Sequence, residues 1–427
     1  MRQQYNKTTL ISFLVVLFFF FMENGLYLFN TNSMHIAGVF NYDLLWLGVF
    51  VAFFGWQFVS IRQRKNKTKY YFASDVLFLC VCVLVAAFRS NLLNEQPIFD
   101  GFRVQRNYFF ILLSYFPLRK LFTEDYIKTN IVEKWLLFFG TIALIVYLLQ
   151  VAAGERVTFV HVHTNTRFGS IRLYVGSVFC TILAFIGADW FYRTGRYKYL
   201  PLVLMTFVYL LFISKGRLAF VSLFASILSG FVLMRRSDNT KLLMLGSIIV
   251  ASVVLLSILM FGSVFDEVSS IINNGIEEGD TMAGRLIARD LFIEALQMDK
   301  WSLLFGCGYP SPLYESGSGF IISDKNISLV DNGIYSFVYV YGILGLFVFV
   351  KWFCKLWNCA WKLYRQNNFY IFIMFMTYLT LLLYNITPWW YRASWTFMLV
   401  LMMAWMEHQQ SDVTSGIHSR KQMQLVA

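Results

Sequence analysis

The sequence predicts an all-α, polytopic integral membrane protein of about 12 transmembrane helices. Both termini are expected in the cytoplasm, with one large, late extracytoplasmic loop that carries a short helix. Three observations lead there. Of 427 residues, 58% are hydrophobic and only 14% are charged, and mean hydropathy is +0.58; a soluble domain holds roughly 25% charged residues. The apolar residues come in runs long enough to cross a hydrocarbon core of about 30 Å, which takes roughly 20 helical residues. The segments between those runs alternate between lysine-rich and lysine-poor. The chain therefore reads as a single membrane domain over 1–427, with 265–330 as the large loop between spans nine and ten.

The first run, Leu10–Phe29, follows Arg2 and Lys7 and continues without a small-residue cleavage motif, so it is expected to remain as the first span. Further spans are expected near Leu44–Val59, Tyr71–Phe88, Tyr108–Phe122, Trp135–Ala153, Leu173–Phe191 and Tyr199–Ile213. The remaining ones fall near Leu218–Met234, Leu242–Val264, Ile334–Val350, Phe369–Ile386 and Trp395–Trp405. The six cysteines lie mostly inside apolar runs and imply no disulfide framework.

Charge gives the orientation. The runs Arg62–Lys69, Arg119-Lys120, Arg193–Lys198, Arg235-Arg236, Lys351–Arg365 and Arg420-Lys421 all fall on one side, which the positive-inside rule makes cytoplasmic. The net charge of +12 is thus first a topology signal and does not point to nucleic acid. The segments left outside are Asn30–Asp43, Arg89–Arg106, Glu155–Arg172, the turn Ser214–Arg217, the loop Phe265–Val330 and Pro388–Arg392. Their cations are mostly arginine, among them Arg89, Arg167, Arg172, Arg217, Arg285 and Arg289. Arginine is a permanently charged planar fork that grips phosphate or carboxylate bidentately. The plainer alternative pairs these arginines with outer acids such as Glu95, Asp100, Asp266 and Glu267.

Within the large loop, Asp280-Thr281 can cap a helix running to Leu296 that sets Arg285, Arg289, Phe292 and Leu296 along one stripe. A cation in a first turn opposes the helix dipole, so Arg285 there suggests a bound anion. The alternative is a helix lying on the membrane with two solvated arginines. Arg217 sits in a turn so short that it must lie at the headgroup boundary or in a polar cavity, and Arg167 and Arg172 lead into the next span. His161 and His163 alone make a weak metal signal, and no nucleotide-binding or zinc-protease motif is present, so neither metal nor cofactor is expected. Gly306-Cys307-Gly308 and the 316–319 glycines read as turns, and Trp389-Trp390-Tyr391 as an interfacial belt.

Four features in order resemble the O-antigen polymerase and O-antigen ligase superfamily of bacterial envelope enzymes. They are Arg217 in its tight turn, Gly284-Arg285 opening a loop helix, the stretch Leu303 to Gly308, and Asp331-Asn332 leading into Tyr341-Gly342 and Leu346. The resemblance covers roughly the second half of the chain and fits its span count. It implies an inverting, metal-independent glycosyltransferase in the bacterial cytoplasmic membrane, working on its outer face without nucleotide sugars. The donor would be a polyprenyl-diphosphate-linked oligosaccharide. Carried over by position, Arg217 and Arg285 would hold the diphosphate, with Arg289, Arg167 and Arg172 as further contacts. Ligases of this superfamily typically carry His before the Asn of the last motif. Here that residue is Asp331, which favours a polymerase of repeat units for O-antigen, capsule or exopolysaccharide and makes Asp331 the candidate base. The implied partners are the bilayer and other assembly proteins such as a flippase and a chain-length regulator. A ligase remains the near alternative. A lipid-linked-sugar transporter is the distant one, which mid-membrane ionisable groups and paired broken helices would favour.

Overall fold

A computed structural model describes residues 2–28, 70–154, 178–214, 217–234, 279–310, 329–383 and 393–426, with short stretches inside 35–48 and 158–173. The described chain is helical in bulk. Its helices are α1 (Arg2–Met22), α2 (Ala73–Asn94), α3 (Ile98–Leu113), α4 (Tyr115–Thr123), α5 (Thr129–Ala153), α6 (Val178–Thr194) and α7 (Leu200–Val208). There follow α8 (Arg217–Val232), α9 (Gly279–Gln297), α10 (Lys300–Phe305), α11 (Gly333–Asn367), α12 (Tyr370–Leu382) and α13 (Ala393–Val426). Two antiparallel ribbons qualify the all-α expectation: β1 (His35–Ile36) with β2 (Val39–Phe40), and β3 (Thr164–Arg167) with β4 (Ser170–Leu173). The expected spans Leu44–Val59 and Leu242–Val264 lie outside the described residues.

The helices carry the mark of a lipid solvent. Along α2 the buried residues include Val76, Leu79 and Val83, while the exposed stripe is equally apolar: Leu77, Phe78, Val81, Leu84, Phe88 and Leu92. In water the outward face of a helix is polar, so a helix apolar all round belongs in a hydrophobic medium. Among the described residues, 73–94, 129–153, 197–214 and 333–367 are long and apolar enough to cross a bilayer, and 7–22, 218–232 and 370–382 are shorter apolar helices. At 1.5 Å per residue, the 22 residues of α2 reach about 33 Å.

Three helices depart from the expected spans. The span near Tyr108–Phe122 is two helices broken at Ser114, because Pro117 has no N–H to give the Leu113 carbonyl, and 98–107 belongs to α3 rather than to a loop. The helix of Tyr199–Ile213 changes from α7 into a π-helical segment over Tyr209–Ser214. The tenth span continues as α11 through the basic run Lys351–Arg365, but its ladder is interrupted at Gly342 (φ 68, ψ −172), a conformation open to glycine.

Contacts between helices bring matching ends together. At one end, Asp75 pairs with Lys355 at 2.7 Å, joining the start of α2 to the later half of α11. There too, Arg119 of α4 pairs with Glu407 of α13 at 3.0 Å. Asp189, held by Arg193 at 3.1 Å, accepts the backbone N–H groups of Tyr370 and Ile371, so α6 caps the start of α12. This is the lysine-rich end. At the opposite end the Ile334 amide donates to the Leu383 carbonyl at 2.8 Å, joining the start of α11 to the end of α12. The π-segment packs against β4 and against α8 there. α8 runs antiparallel to α12, with Ser229 Oγ 3.3 Å from Thr377 Oγ1, so Arg217 stands at the same end as Leu383 and Ile334.

Candidate functional site

The end opposite the lysines gathers the arginine-bearing elements. In the β3–β4 ribbon, Arg167 pairs in register with Ser170 and Arg172 with Asn165. β4 lies on the π-segment that leads to Arg217, the first residue of α8. Single π-turns inside α-helices concentrate at functional sites, where an extra residue re-aims the chain. The ribbon was not expected from the sequence, although the alternation of Thr164 to Leu173 around Gly169 is a hairpin signal.

A second group forms where α9 lies along the start of α11. The Arg289 guanidinium sits 4.5 Å from the Tyr335 ring centroid, and Phe292 packs on Tyr339 at 4.8 Å. These two contacts advance together along both helices. Asp331 lies in the 3-10 turn Val330–Asn332 that precedes α11, and that turn packs on α9. Of the expected stripe of α9, Arg289, Phe292 and Leu296 are buried, with Ala288 and Ala295 beside them, while Arg285 is half-buried. A helix lying on the membrane with two solvated arginines does not fit, because Arg289 is only 7% exposed.

One detail revises the sequence reading. α9 begins at Gly279, so Asp280 lies inside the first turn and Arg285 falls nearly two turns in. The free N–H groups of a helix start do not reach that far, and the dipole argument for an anion at Arg285 lapses; what remains is that its helix packs on the turn carrying Asp331. Asp331 directly precedes the N-cap of α11, Asn332, which makes no side-chain cap. Asp331 is half-buried, and among the described residues no ion pair engages it.

Gly306 and Gly308 do not form the simple turn expected of them. Both have positive φ (82° and 80°), and the segment runs alongside the break in α11. Interrupting the helix at Gly342 strips carbonyls of the preceding turn of their helical donors. Two are taken over from outside, with Cys307 N donating to Tyr339 O at 2.7 Å and Gly308 N to Val340 O at 3.2 Å. A Cβ on Gly306 would collide with the Val340 carbonyl, and one on Gly342 with the Gly306 nitrogen. The glycine stretches of the third and fourth sequence features are therefore one interlocked joint.

Arg89, near the end of α2, was grouped with the outer arginines and does find an acid, though not Glu95 or Asp100. It pairs with Asp299 at 3.1 Å. Asp299 is the N-cap of α10, accepting from Trp301 N and Ser302 Oγ. The Ser302 hydroxyl, followed by the Trp301 amide and Arg89, lowers its carboxyl to about pH 2, so it is ionised at any working pH. Burial, by contrast, pushes the Cys307 thiol up to about 11, so this cysteine is no nucleophile. The spacing of Asp299 and Ser302 was a legible cap signal; its bond to a residue so distant in sequence was not.

No protein-family model matches this chain, and no curated protein matches it significantly.

Proposed function

We propose that this protein is a bacterial surface-polysaccharide polymerase of the O-antigen polymerase and ligase type. It joins polyprenyl-diphosphate-linked repeat units on the outer face of the cytoplasmic membrane, by inverting glycosyl transfer without metal or nucleotide. In this reading the lysine-rich end is cytoplasmic, and the opposite end faces outward at the headgroup level where the lipid diphosphate lies. The observation that carries the reading is that β4 with the π-segment and the start of α8, and α9 with the start of α11, lie at that one end. These elements carry Arg167, Arg172, Arg217, Arg285 and Arg289, and a carboxylate, Asp331.

The reaction asks two things of such a site. The acceptor hydroxyl must lose its proton as its oxygen attacks the anomeric carbon, and Asp331 accepts that proton. The bond from that carbon to the diphosphate oxygen breaks, leaving its electron pair and growing negative charge on the diphosphate. Arg217 and Arg285, with Arg289, Arg167 and Arg172, stabilise that charge in a medium of low polarity. Attack opposite the leaving group inverts the anomeric centre. Repetition, with the growing chain moved to each new unit, gives a polymer.

The test is transfer by purified protein in nanodiscs, and Asp331→Asn is its sharpest variant. This substitution keeps the shape and removes the base, so turnover is expected to fall about 10²–10⁴-fold while donor binding persists. Near-normal turnover would show that Asp331 only shapes the start of α11. Transfer in which wild-type protein adds one finished glycan to a separate acceptor would favour the ligase reading.

A further inference from the structure

Arg89 makes an unusual set of bonds for a residue at the end of a membrane helix. Its Nε donates to the Gly306 carbonyl at 3.1 Å, and Nη2 reaches both Asp299 Oδ2 at 3.1 Å and Ser302 Oγ at 2.8 Å. One guanidinium thus grips both ends of α10, whose N-cap is Asp299 and whose C-cap is Gly306. Its side chain is 11% exposed. Beside it, Ser90 Oγ and Gln96 Nε2 both donate to the Tyr309 carbonyl at 3.0 Å. Gly308 is pressed so closely on α2 that a Cβ there would meet Ser90 N at 2.5 Å.

The gripped segment is directly continuous with the candidate site. α9 precedes α10, Cys307 Sγ lies 3.7 Å from the Ala295 carbonyl of α9, and the Cys307 and Gly308 amides are bonded to α11. The arm from α9 to Tyr309 is therefore clamped at its far end between α2 and the break in α11, and the near end of α9 carries Arg285 and Arg289. Rotating α10 away from Arg89 would pull Gly306 from the joint at Gly342 and shift the Phe292–Tyr339 and Arg289–Tyr335 contacts. Lysine could not substitute, because a single ammonium lacks the planar fork that reaches a carbonyl on one edge and a carboxylate on another.

Resting on the glycan-polymerase reading above, we infer that Arg89 is a positioning residue: its clasp on Asp299, Ser302 and Gly306 docks the α9–α10 arm, so that Arg285 and Arg289 meet the donor diphosphate beside Asp331. Arg89 itself touches no substrate. A donor that binds the docked arm would help to restore docking when the clasp is weakened, which ties docking to apparent affinity more than to the chemical step.

The experiment pairs hydrogen exchange with kinetics on full-length protein in nanodiscs, using a synthetic polyprenyl-diphosphate oligosaccharide. In Arg89→Gln, exchange in the peptide carrying the Cys307 and Gly308 amides is expected to rise about tenfold, while α6 peptides are unchanged. The donor KM is expected to rise about tenfold, with kcat at saturation within about twofold of wild type. If Arg89→Gln does not fold, Asp299→Asn removes the more exposed partner and should give the same pattern in weaker form. Unchanged exchange at Cys307 and Gly308, or a fallen kcat with unchanged KM, overturns the inference. Raised exchange in a protein whose wild type transfers no sugar would keep the clasp and remove the glycan reading, so the two failures are separable.

Discussion

Arg217→Ala and Arg285→Ala should each abolish polymer formation while single repeat units accumulate on their lipid carrier. The expected loss is about 10²–10³-fold in turnover, the range found when one preorganised donor to a developing anion is removed. The two residues come from different elements, the start of α8 and the second turn of α9, and they are brought to one end by the pairing of α8 with α12 and of α12 with the start of α11. A defect shared by both variants is therefore a statement about the assembled end and not about one loop. Arg103→Ala is the control: that residue is exposed on α3, where its carbonyl accepts from Arg106, and polymer yield should be unchanged. Wild-type chain length in either arginine variant, checked by gel profile of the cell-surface glycan, would remove the diphosphate clamp.

Glu407→Ala should be the most destabilising single substitution in the described bundle, for reasons that have nothing to do with chemistry at the site. The Arg119 and Glu407 side chains are 4% and 5% exposed. Glu407 Oε1 also accepts the Tyr71 amide at 2.8 Å, and Oε2 accepts the Tyr115 hydroxyl at 2.5 Å. Removing the carboxylate strands a buried guanidinium and two further donors where α2, α4 and α13 meet. Loss of one member of a buried pair costs about 3–5 kcal/mol, whereas replacing both members by apolar residues costs much less. Thermal unfolding in detergent should show a large fall in Tm for Glu407→Ala and a partial recovery in Arg119→Leu/Glu407→Leu. Equal Tm values for wild type and Glu407→Ala would mean that the pair does not hold these helices together.

What the sequence made legible follows from the range of the forces involved. The helical bulk, the stripe of α9 and the Asp189–Arg193 pair are local patterns, readable from hydropathy and from i,i+4 spacing. The break at Ser114 had a local cause in Pro117 that a hydropathy window averages away. The break at Gly342 had none, because glycine in an apolar run is compatible with an unbroken helix; it is the donors of Cys307 and Gly308 that stabilise the interrupted backbone. Arg89–Asp299 and Arg119–Glu407 join residues hundreds of positions apart, and charge type alone does not select such partners. The site residues divide in the same way. Spacing put Arg289 on the packed face of α9, but the reason first given for Arg285, a helix start, depended on a boundary that lies earlier, at Gly279. Arg285 keeps its candidacy because α9 packs on the turn that carries Asp331, a relation that only the packing of the two elements supplies.

The central claim is that this arginine-bearing end polymerises diphosphate-lipid-linked sugars. It is tested most directly by incubating the purified protein in nanodiscs with one defined polyprenyl-diphosphate oligosaccharide and no nucleotide sugar, then resolving the products by size. The expected product is a ladder at multiples of the repeat unit, with polyprenyl diphosphate released for every bond formed. Recovery of the oligosaccharide with no covalent change would contradict it and leave a protein that moves such lipids without joining them.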